Sequence, residues 1–266
     1  MKQLTYLTTT PAQRGIIDAA VLDFIAGRRP LLTESNAKIA KGLATGWLTT
    51  GIHLAPHTLA GGKSLCPASS PECRKVCLTF SGHGEFPAVQ LSRIAKTRYW
   101  LQHRDAFMLR LDKELRQHTR RAERHNLLPA ARLCLTSDNS WEREIVPGTG
   151  KCIMELHPTV QFYDYTKIAA RMSAFLSGQL PPNYHLTFSR SEKEANHMAC
   201  RAFLRSGGNV AAVFAGPALP AAWDGFPVVD GDADDLTFLR PPGTVFGLLP
   251  KGRAAKAAQP GGFIIG

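Results

Sequence analysis

The second half of the chain alternates strand-like and helical segments, and this alternation constrains the fold more than any other feature. From residue 127 onward, short runs rich in β-branched and aromatic residues are separated by stretches with helical spacing. Strands that alternate with helices form parallel sheets, because each crossover returns the chain to the same end of the sheet. With one earlier strand, the pattern predicts seven: 47–55, 131–138, 160–167, 183–191, 208–215, 226–230 and 244–249.

Polar residues follow several of these strands, and they bear on the topology. The strand ends in question are Ser137-Asp138, Thr166-Lys167, Ser189-Arg190, Asp230-Gly-Asp232 and Pro250-Lys251. A β/α barrel gathers such residues at one rim, whereas an open doubly wound sheet concentrates its site at one switch point. We predict an α/β fold with a partial or full β/α (TIM-like) barrel, with the open doubly wound sheet as the alternative.

The rest of the chain is predicted to add helices to this core. Helical spacing predicts helices over 13–26, 34–43 and 87–126, the last with a break near 103–105. A length of 266 residues with 44% hydrophobic residues suits one domain. We therefore predict one α/β domain, with N-terminal helices over 1–46, a barrel-like core over 47–251 and a tail over 252–266.

Targeting signals and membrane segments are not expected in this sequence. Residues 1–17 mix Thr, Gln, Pro and Arg without a continuous apolar stretch, and no run reaches the roughly 18 apolar residues of a membrane helix. We expect a cytoplasmic protein without a membrane partner, in which thiols stay reduced.

Three of the six cysteines lie within twelve residues, in the pattern C-x6-C-x3-C. Thiolates bind soft and borderline metals, so Cys66, Cys73 and Cys77 are predicted metal ligands. One position stays open after three ligands, which suits a 4Fe-4S cluster with one exposed iron or a zinc completed by His53, His57 or His83. Three reduced thiols without a metal are the remaining alternative.

A positive charge excess points to a polyanionic partner. The net charge is +11, and residues 91–125 contribute ten basic against four acidic side chains. Such an excess is typical of proteins that bind nucleic acid, although a solvated helix face has the same pattern. The predicted nucleic-acid-binding residues are Arg93, Lys96, Arg98, Arg116, Arg120, Arg121 and Arg124.

Residues at the strand ends are predicted to form a site for a small polar ligand or nucleotide. Asp138 and Glu142 form a carboxylate pair suited to general acid–base work, and Lys167 suits an anionic group; these three are the predicted catalytic residues. Helix capping and turn formation are the alternatives for the same side chains. The predicted ligand-binding residues are Tyr165, Thr166, Ser189, Arg190, Asp230, Asp232 and Lys251.

A cysteine triad just after the first strand of a β/α barrel resembles the radical S-adenosylmethionine superfamily. That resemblance implies a four-iron cluster whose unique iron binds S-adenosylmethionine and cleaves it reductively. The spacing differs, because the superfamily usually has C-x3-C-x2-C, and no Gly-Gly-Glu follows the second strand.

An ordered set of motifs resembles phage and prophage proteins of the gene-product-eighty-eight type. These motifs are Ser64-Leu-Cys66-Pro67, Cys73 to Cys77, Ser137-Asp138, Tyr165-Thr-Lys167 and Asp230-Gly-Asp232. The resemblance covers about residues 52–251 and implies no particular reaction. We expect an iron–sulfur metalloprotein, as a radical-S-adenosylmethionine-like enzyme acting on a nucleotide or nucleic acid. The alternative is a zinc-stabilised, non-enzymatic nucleic-acid-binding protein.

Overall fold

The computed structural model describes residues 9–33, 41–251 and 262–266. Its α-helices agree with the spacing of apolar residues in the sequence, and the predicted break near 103–105 is confirmed at His103. Most of the helix predicted over 34–43 lies outside the described residues. The helices are α1 Pro11–Ile25, α2 Pro71–Lys75, α3 Pro87–Gln102, α4 Arg104–Arg124, α5 Ile153–Leu156, α6 Ala169–Leu176 and α7 Glu194–Arg205.

Local sequence explains where α1 begins. Thr10 accepts a hydrogen bond from the backbone N–H of Gln13, and the Gln13 side chain accepts one from the Thr10 N–H. This reciprocal pair is a capping box, and Pro11 occupies the first helical position, where no backbone N–H is needed. The buried face of α1, with Ile17 and Phe24, then packs on α3.

A nine-stranded sheet forms the centre of the described structure. The strands are β1 Trp47–Gly51, β2 Leu128–Arg132, β3 Gln161–Thr166, β4 Tyr184–Ser189, β5 Asn209–Phe214, β6 Ala222–Trp223, β7 Phe226–Asp230, β8 Val245–Leu248 and β9 Ile264–Ile265. Their order is β1-β2-β3-β4-β5-β8-β7-β6, with β9 also paired to β5. All of the pairs are parallel except β6 with β7.

The strand order bears directly on the predicted topology. The first five strands lie side by side in chain order, as they do in a β/α barrel, whereas a doubly wound sheet reverses its order at a switch point. The sheet is not closed, because β1 and β6 stand at its two edges in the part of the chain that is described. The α/β class is confirmed, and a barrel stays a prediction.

The two faces of the sheet differ in what they contact. Leu186 and Phe188 join the main hydrophobic core, which the helices complete with side chains such as Phe107 and Leu204. Tyr163 lies on the opposite face, because adjacent residues of a strand point to opposite sides, and belongs to a small cluster beneath residues 236–238. Leu186 and Phe188 therefore share the side of β4 that faces the main core.

Three local predictions differ from the structure. The second strand is 128–132 rather than 131–138, because the chain leaves the sheet after Arg132 and turns. The residues Ser191-Glu-Lys-Glu194 match a capping box and predict a helix that begins at Ser191, but α7 begins at Glu194 and the Ser191 N–H donates to the Asn196 side chain. The end of the predicted tail, residues 262–266, is bound to β5.

Candidate functional site

The cysteine loop, residues 65–78, lies over the carboxyl ends of two strands. The backbone N–H of Asp138, which follows β2, donates to the Leu65 carbonyl at 2.7 Å. The Ser70 hydroxyl donates to the carboxylate of Glu192, which follows β4, at 2.5 Å. These contacts place the predicted metal ligands at the edge of the sheet where parallel-sheet proteins build their sites.

Within the loop, a single short helix separates the cysteines. Ser70 caps α2 by accepting a hydrogen bond from the Cys73 N–H at 3.3 Å, and Pro71 is the first helical residue. Cys66 precedes this helix, Cys73 lies on it, and Cys77 follows it. Cys73 and Cys77 are four residues apart in the sequence, and the short helix keeps their thiols close enough to interact electrostatically.

The thiols of Cys66, Cys73 and Cys77 are free and half-buried. They lie close enough to influence one another electrostatically. Burial raises the pKa of Cys66 to about 12, with smaller contributions from Cys77, Asp138 and Cys73 in the same direction. Burial raises the pKa of Cys77 to about 11, with Cys73 adding to it. In the metal-free protein, Cys66 and Cys77 are neutral thiols at pH 7.

Lys167, at the end of β3, reaches this cluster. Its side chain lies within electrostatic reach of Cys73 and Cys66. Burial lowers the pKa of Lys167, but Cys73, Asp138 and Cys66 raise it by more, so the net pKa is raised. Lys167 is therefore a protonated cation beside the thiols, as its predicted role as an anion-binding group requires.

The predicted carboxylate pair is bound by an arginine. Arg171 donates to Asp138 at 2.7 Å and makes two hydrogen bonds to Glu142, each 2.9 Å long. Asp138 also accepts the Lys167 backbone N–H at 2.8 Å. The Arg171 side chain is 1% exposed. Both carboxylates are thus ion-paired in this state, which suits positioning better than proton transfer.

The same arginine extends the network into the sheet. Arg171 donates to the Tyr184 hydroxyl at 2.7 Å, and that hydroxyl donates to Asp164 at 3.0 Å. The other Asp164 oxygen accepts the Cys134 N–H at 2.7 Å. Burial raises the pKa of Asp164 to about 7 against the pull of Arg132 and Arg171.

Sequence reasoning missed Arg171, although a signal was present. Arg171 lies three residues after Ile168 and four before Phe175, so it occupies an apolar-stripe position of α6. A charged residue at such a position indicates a buried ion pair.

Asp230, Asp232 and Lys251 lie in the turns at the ends of β7 and β8. The Asp232 N–H donates to the Asp230 carboxylate at 2.7 Å, and Lys251 donates to Asp232 at 2.6 Å. The Leu249 N–H also donates to Asp232 at 3.3 Å. These interactions join the ends of β7 and β8, in agreement with the turn-forming alternative.

Tyr165 and Thr166 point to opposite faces of β3. The guanidinium of Arg132, which the sequence did not single out, lies 4.4 Å from the centre of the Tyr165 ring and is ion-paired to Asp235 at 2.5 Å. Thr166 accepts the Ile168 N–H at 3.0 Å and caps the turn before α6. Tyr165 therefore packs against Arg132.

Arg190, which follows Ser189 at the end of β4, contacts the C-terminal residues. Its Nη1 donates to the carbonyl oxygens of Gly262 at 2.8 Å and Phe263 at 3.2 Å. The Ser189 carbonyl accepts a hydrogen bond from the Asn196 side chain at 3.2 Å. Lys167 and Arg190 thus come from neighbouring strands and share one neighbour, because the Lys167 Nζ lies 5.4 Å from the centre of the Phe263 ring.

The predicted nucleic-acid-binding cations divide into two groups. Lys96 is 8% exposed and donates to the Leu31 carbonyl at 2.6 Å, so the structure removes it from the surface. Arg93 and Arg98 are half-buried and contact loop residues. In the second group, Arg121 is half-buried and the other members are exposed on α4: Arg116, Arg120 and Arg124.

The histidines suggested as zinc ligands have other surroundings. Burial lowers the pKa of His53 to about 3, with Arg93, Lys96 and Arg132 adding to the effect. His57 contacts the Ser64 hydroxyl at 2.9 Å. Within the described ranges, no group of three or more His, Cys, Asp or Glu side chains is arranged to hold a metal ion. The thiols of the cysteine loop would have to draw closer together to share one.

One of three comparisons relates the chain to known proteins. None of its described helices is long and apolar enough to span a membrane. No curated protein and no solved structure matches the chain, and none of the comparisons supports the resemblance to the radical S-adenosylmethionine superfamily. The family model for gene product 88 matches residues 30–265. This match covers most of the sequence, and the chain belongs to the gene product 88 family of phage proteins.

Proposed function

We propose that this protein is an iron–sulfur metalloprotein in which Cys66, Cys73 and Cys77 are the cluster ligands. One observation carries the proposal: three half-buried thiols lie within electrostatic reach of one another at the carboxyl ends of β2 to β4. A thiol set at this edge of a parallel sheet has no evident structural purpose, since the cysteines make no disulfide. Thiolates are the ligands that iron–sulfur clusters use.

The donor set fits a cluster better than a structural zinc. Zinc in structural sites takes four protein ligands in a closed tetrahedron. Three thiolates leave one position for an outside ligand, which is typical of a site that binds a substrate. Three soft sulfur donors, with no fourth protein ligand beside them among the described residues, therefore favour the 4Fe-4S cluster over zinc.

The surrounding residues supply binding and orientation. Lys167 brings a positive charge to the cluster ligands, and Asp138 holds the Lys167 backbone in place while Arg171 holds Asp138. The iron–sulfur cluster would supply electrons, which in a radical-S-adenosylmethionine-like enzyme would serve the reductive cleavage of S-adenosylmethionine. We propose a nucleotide or nucleic acid as the substrate, because Lys167 is cationic and the protein carries a net charge of +11.

Purification without oxygen tests the metal. We expect a brown protein with stoichiometric iron and sulfide and a visible absorption band that dithionite bleaches. The variants C66S, C73S and C77S should each lose the iron, whereas C200S, which removes a fully buried thiol from α7, should keep it. A colourless protein that takes up no iron on anaerobic reconstitution would refute the proposal.

A second function is favoured by the exposed cations of α4. Arg116, Arg120 and Arg124 recur at four-residue intervals, so they lie on one side of the helix, and Arg120 and Arg124 line a shallow surface depression with Gln117 and Glu123. In this alternative the thiols hold zinc for stability and the protein binds nucleic acid without catalysis. Zinc in place of iron would support it.

The nucleic-acid contact is tested separately by charge reversal. R120E with R124E should weaken binding and reduce its salt dependence, because each neutralised phosphate releases counterions. R28E with R29E is the matched control, since these cations lie on the surface after α1 and pair with Asp23. Equal loss in both double variants would mean general charge attraction rather than a site on α4.

A further inference from the structure

Lys167 and Arg190 are two cations at neighbouring strand ends, and the carboxylates around them act on them through longer-range electrostatics rather than direct ion pairs in the part of the chain that the structure describes. Lys167 follows β3 and Arg190 follows β4, and these strands pair in parallel up to Thr166 and Phe188. Among the residues that the structure describes, neither side chain forms an ion pair with a carboxylate. Arg190 is buried and Lys167 is half-buried, and cations withdrawn from water are normally paired, because an isolated charge is costly to desolvate.

The partners that they do have are weak ones. Arg190 is 8% exposed and donates to the two carbonyls of Gly262 and Phe263, while its Nε has no hydrogen-bond partner among the described residues. Lys167 faces the ring of Phe263 and a thiol. The two acids nearest to Arg190 are already engaged: Glu192 accepts from Ser70, and Glu72 accepts from the Phe263 N–H at 2.5 Å.

The C-terminal strap, residues 262–266, covers these two cations. Ile264 is 3% exposed, packs on Val76 of the cysteine loop and pairs with Val213 of β5. The Ala215 N–H donates to the Ile265 carbonyl at 2.6 Å. The strap thus offers the two cations backbone oxygens and an aromatic ring in place of negatively charged partners.

We propose that Lys167 and Arg190 form a subsite for an anionic oxygen group, a phosphate or a carboxylate, which the C-terminal strap covers and a ligand displaces. Two carbonyl oxygens on one guanidinium nitrogen imitate the oxygens of such a group, and charged oxygens bind a guanidinium more strongly than carbonyls do. The Nε that stays unpaired beneath the strap gives the guanidinium a second donor for a bidentate ligand.

The subsite specifies the class of ligand that the proposed function leaves open. It depends on the proposed function only for the identity of the neighbouring cluster. A phosphate at Lys167 would belong to a nucleotide, and a carboxylate would belong to an amino-acid-like ligand. Either group would lie near Cys73, which acts electrostatically on Lys167.

Isothermal titration calorimetry on the full chain tests the subsite, with pyrophosphate and malonate as separate probes. We expect K167Q and R190Q each to weaken binding about tenfold or more, the usual effect of losing one charge-assisted hydrogen bond. R205Q is the matched control, since Arg205 is an exposed cation at the end of α7. F263A should strengthen binding several-fold, because the strap then competes less well.

Each result decides the proposal. Tighter binding of pyrophosphate than malonate assigns the subsite to phosphate, and the reverse order assigns it to a carboxylate. Failure of both probes to bind the wild type and F263A overturns the subsite, as does equal weakening in R205Q and R190Q. Unchanged affinity in F263A overturns the covering role of the strap. If R190Q does not fold, K167Q decides alone, and circular dichroism checks both.

The metal and the subsite fail in distinguishable ways. Loss of iron in C73S with anion binding retained would leave the subsite standing without the cluster. Normal iron content in K167Q and R190Q with wild-type anion affinity would leave the cluster standing without the subsite.

Discussion

Replacement of Arg171 by methionine should destabilise the protein more than almost any other single substitution. The guanidinium makes four short hydrogen bonds, to Asp138, Glu142 and the Tyr184 hydroxyl, at 2.7 to 2.9 Å. Methionine fills a similar volume but leaves two carboxylates without a counter-charge, and their side chains are only 11% and 4% exposed. Removing one partner of a buried ion pair costs about 3–5 kcal/mol.

The loss is measurable as a change in the free energy of unfolding. Urea unfolding followed by tryptophan fluorescence should give the full 3–5 kcal/mol, which corresponds to a fall in melting temperature of roughly 6–20 °C for a chain of this size. R143M is the control, because Arg143 is exposed near the same carboxylates, and it should change stability by less than about 0.5 kcal/mol.

A double-mutant cycle separates the ion pair from general packing. R171M with E142Q should be less destabilised than the sum of the two single variants, since the amide removes the unpaired charge. A loss below about 1 kcal/mol in R171M, or strict additivity in the cycle, would show that this network does not hold the carboxylates in the folded state.

Two further predictions concern other parts of the fold. Burial lowers the pKa of His118 to about 4 from 6.5, so its contribution to stability is complete above pH 6.5 and is lost as the pH falls toward 4. The variant H118Q should therefore remove about 2 kcal/mol of the difference in unfolding free energy between pH 7 and pH 5, measured by urea unfolding. A pH dependence identical to that of the wild type would contradict this. G51A should destabilise strongly, because a Cβ there would clash with the Arg132 carbonyl, whereas G15A meets open space in α1 and should gain up to about 1 kcal/mol. Similar melting temperatures for the two glycine variants would count against the close approach of β1 and β2.

Elements with a strong local pattern were predictable from the sequence. The helix over residues 87–126 and its break follow from apolar spacing, which depends only on neighbours along the chain. The strands near 160–167 and 208–215 follow from β-branched and aromatic runs between turn residues. Here packing and local preference agree, so local reasoning is sufficient.

Predictions failed where a distant partner decides the outcome. Leu133 and Cys134 have the residue types of a strand, yet the chain turns there, because the Cys134 N–H donates to the Asp164 side chain rather than to a backbone carbonyl of β3. The seven basic residues looked like one face, but Lys96 is drawn inward by the Leu31 carbonyl, 65 residues away. Helical spacing alone does not reveal which cations a second element covers.

The dependence on distant partners also explains how much could be predicted about the thiols. Their pattern identified Cys66, Cys73 and Cys77 as candidate ligands, since ligand chemistry depends on residue type and local spacing. Their mutual position depends on contacts that span the chain. The Ser70 hydroxyl is held by Glu192, 122 residues away, and the Glu72 carboxylate by the Phe263 N–H, 191 residues away.

A five-residue helix gives the cysteine loop little stability of its own, since helices this short are marginal without tertiary contacts. The arrangement of the three thiols must therefore be held by the strand ends beneath them and the strap beside them. Glu72, next to Cys73, receives the strap, and the strap in turn contacts Lys167 and Arg190. A ligand that displaces the strap would thus release one fixed point of the loop, so anion binding and the spacing of the thiols are linked through the same five C-terminal residues.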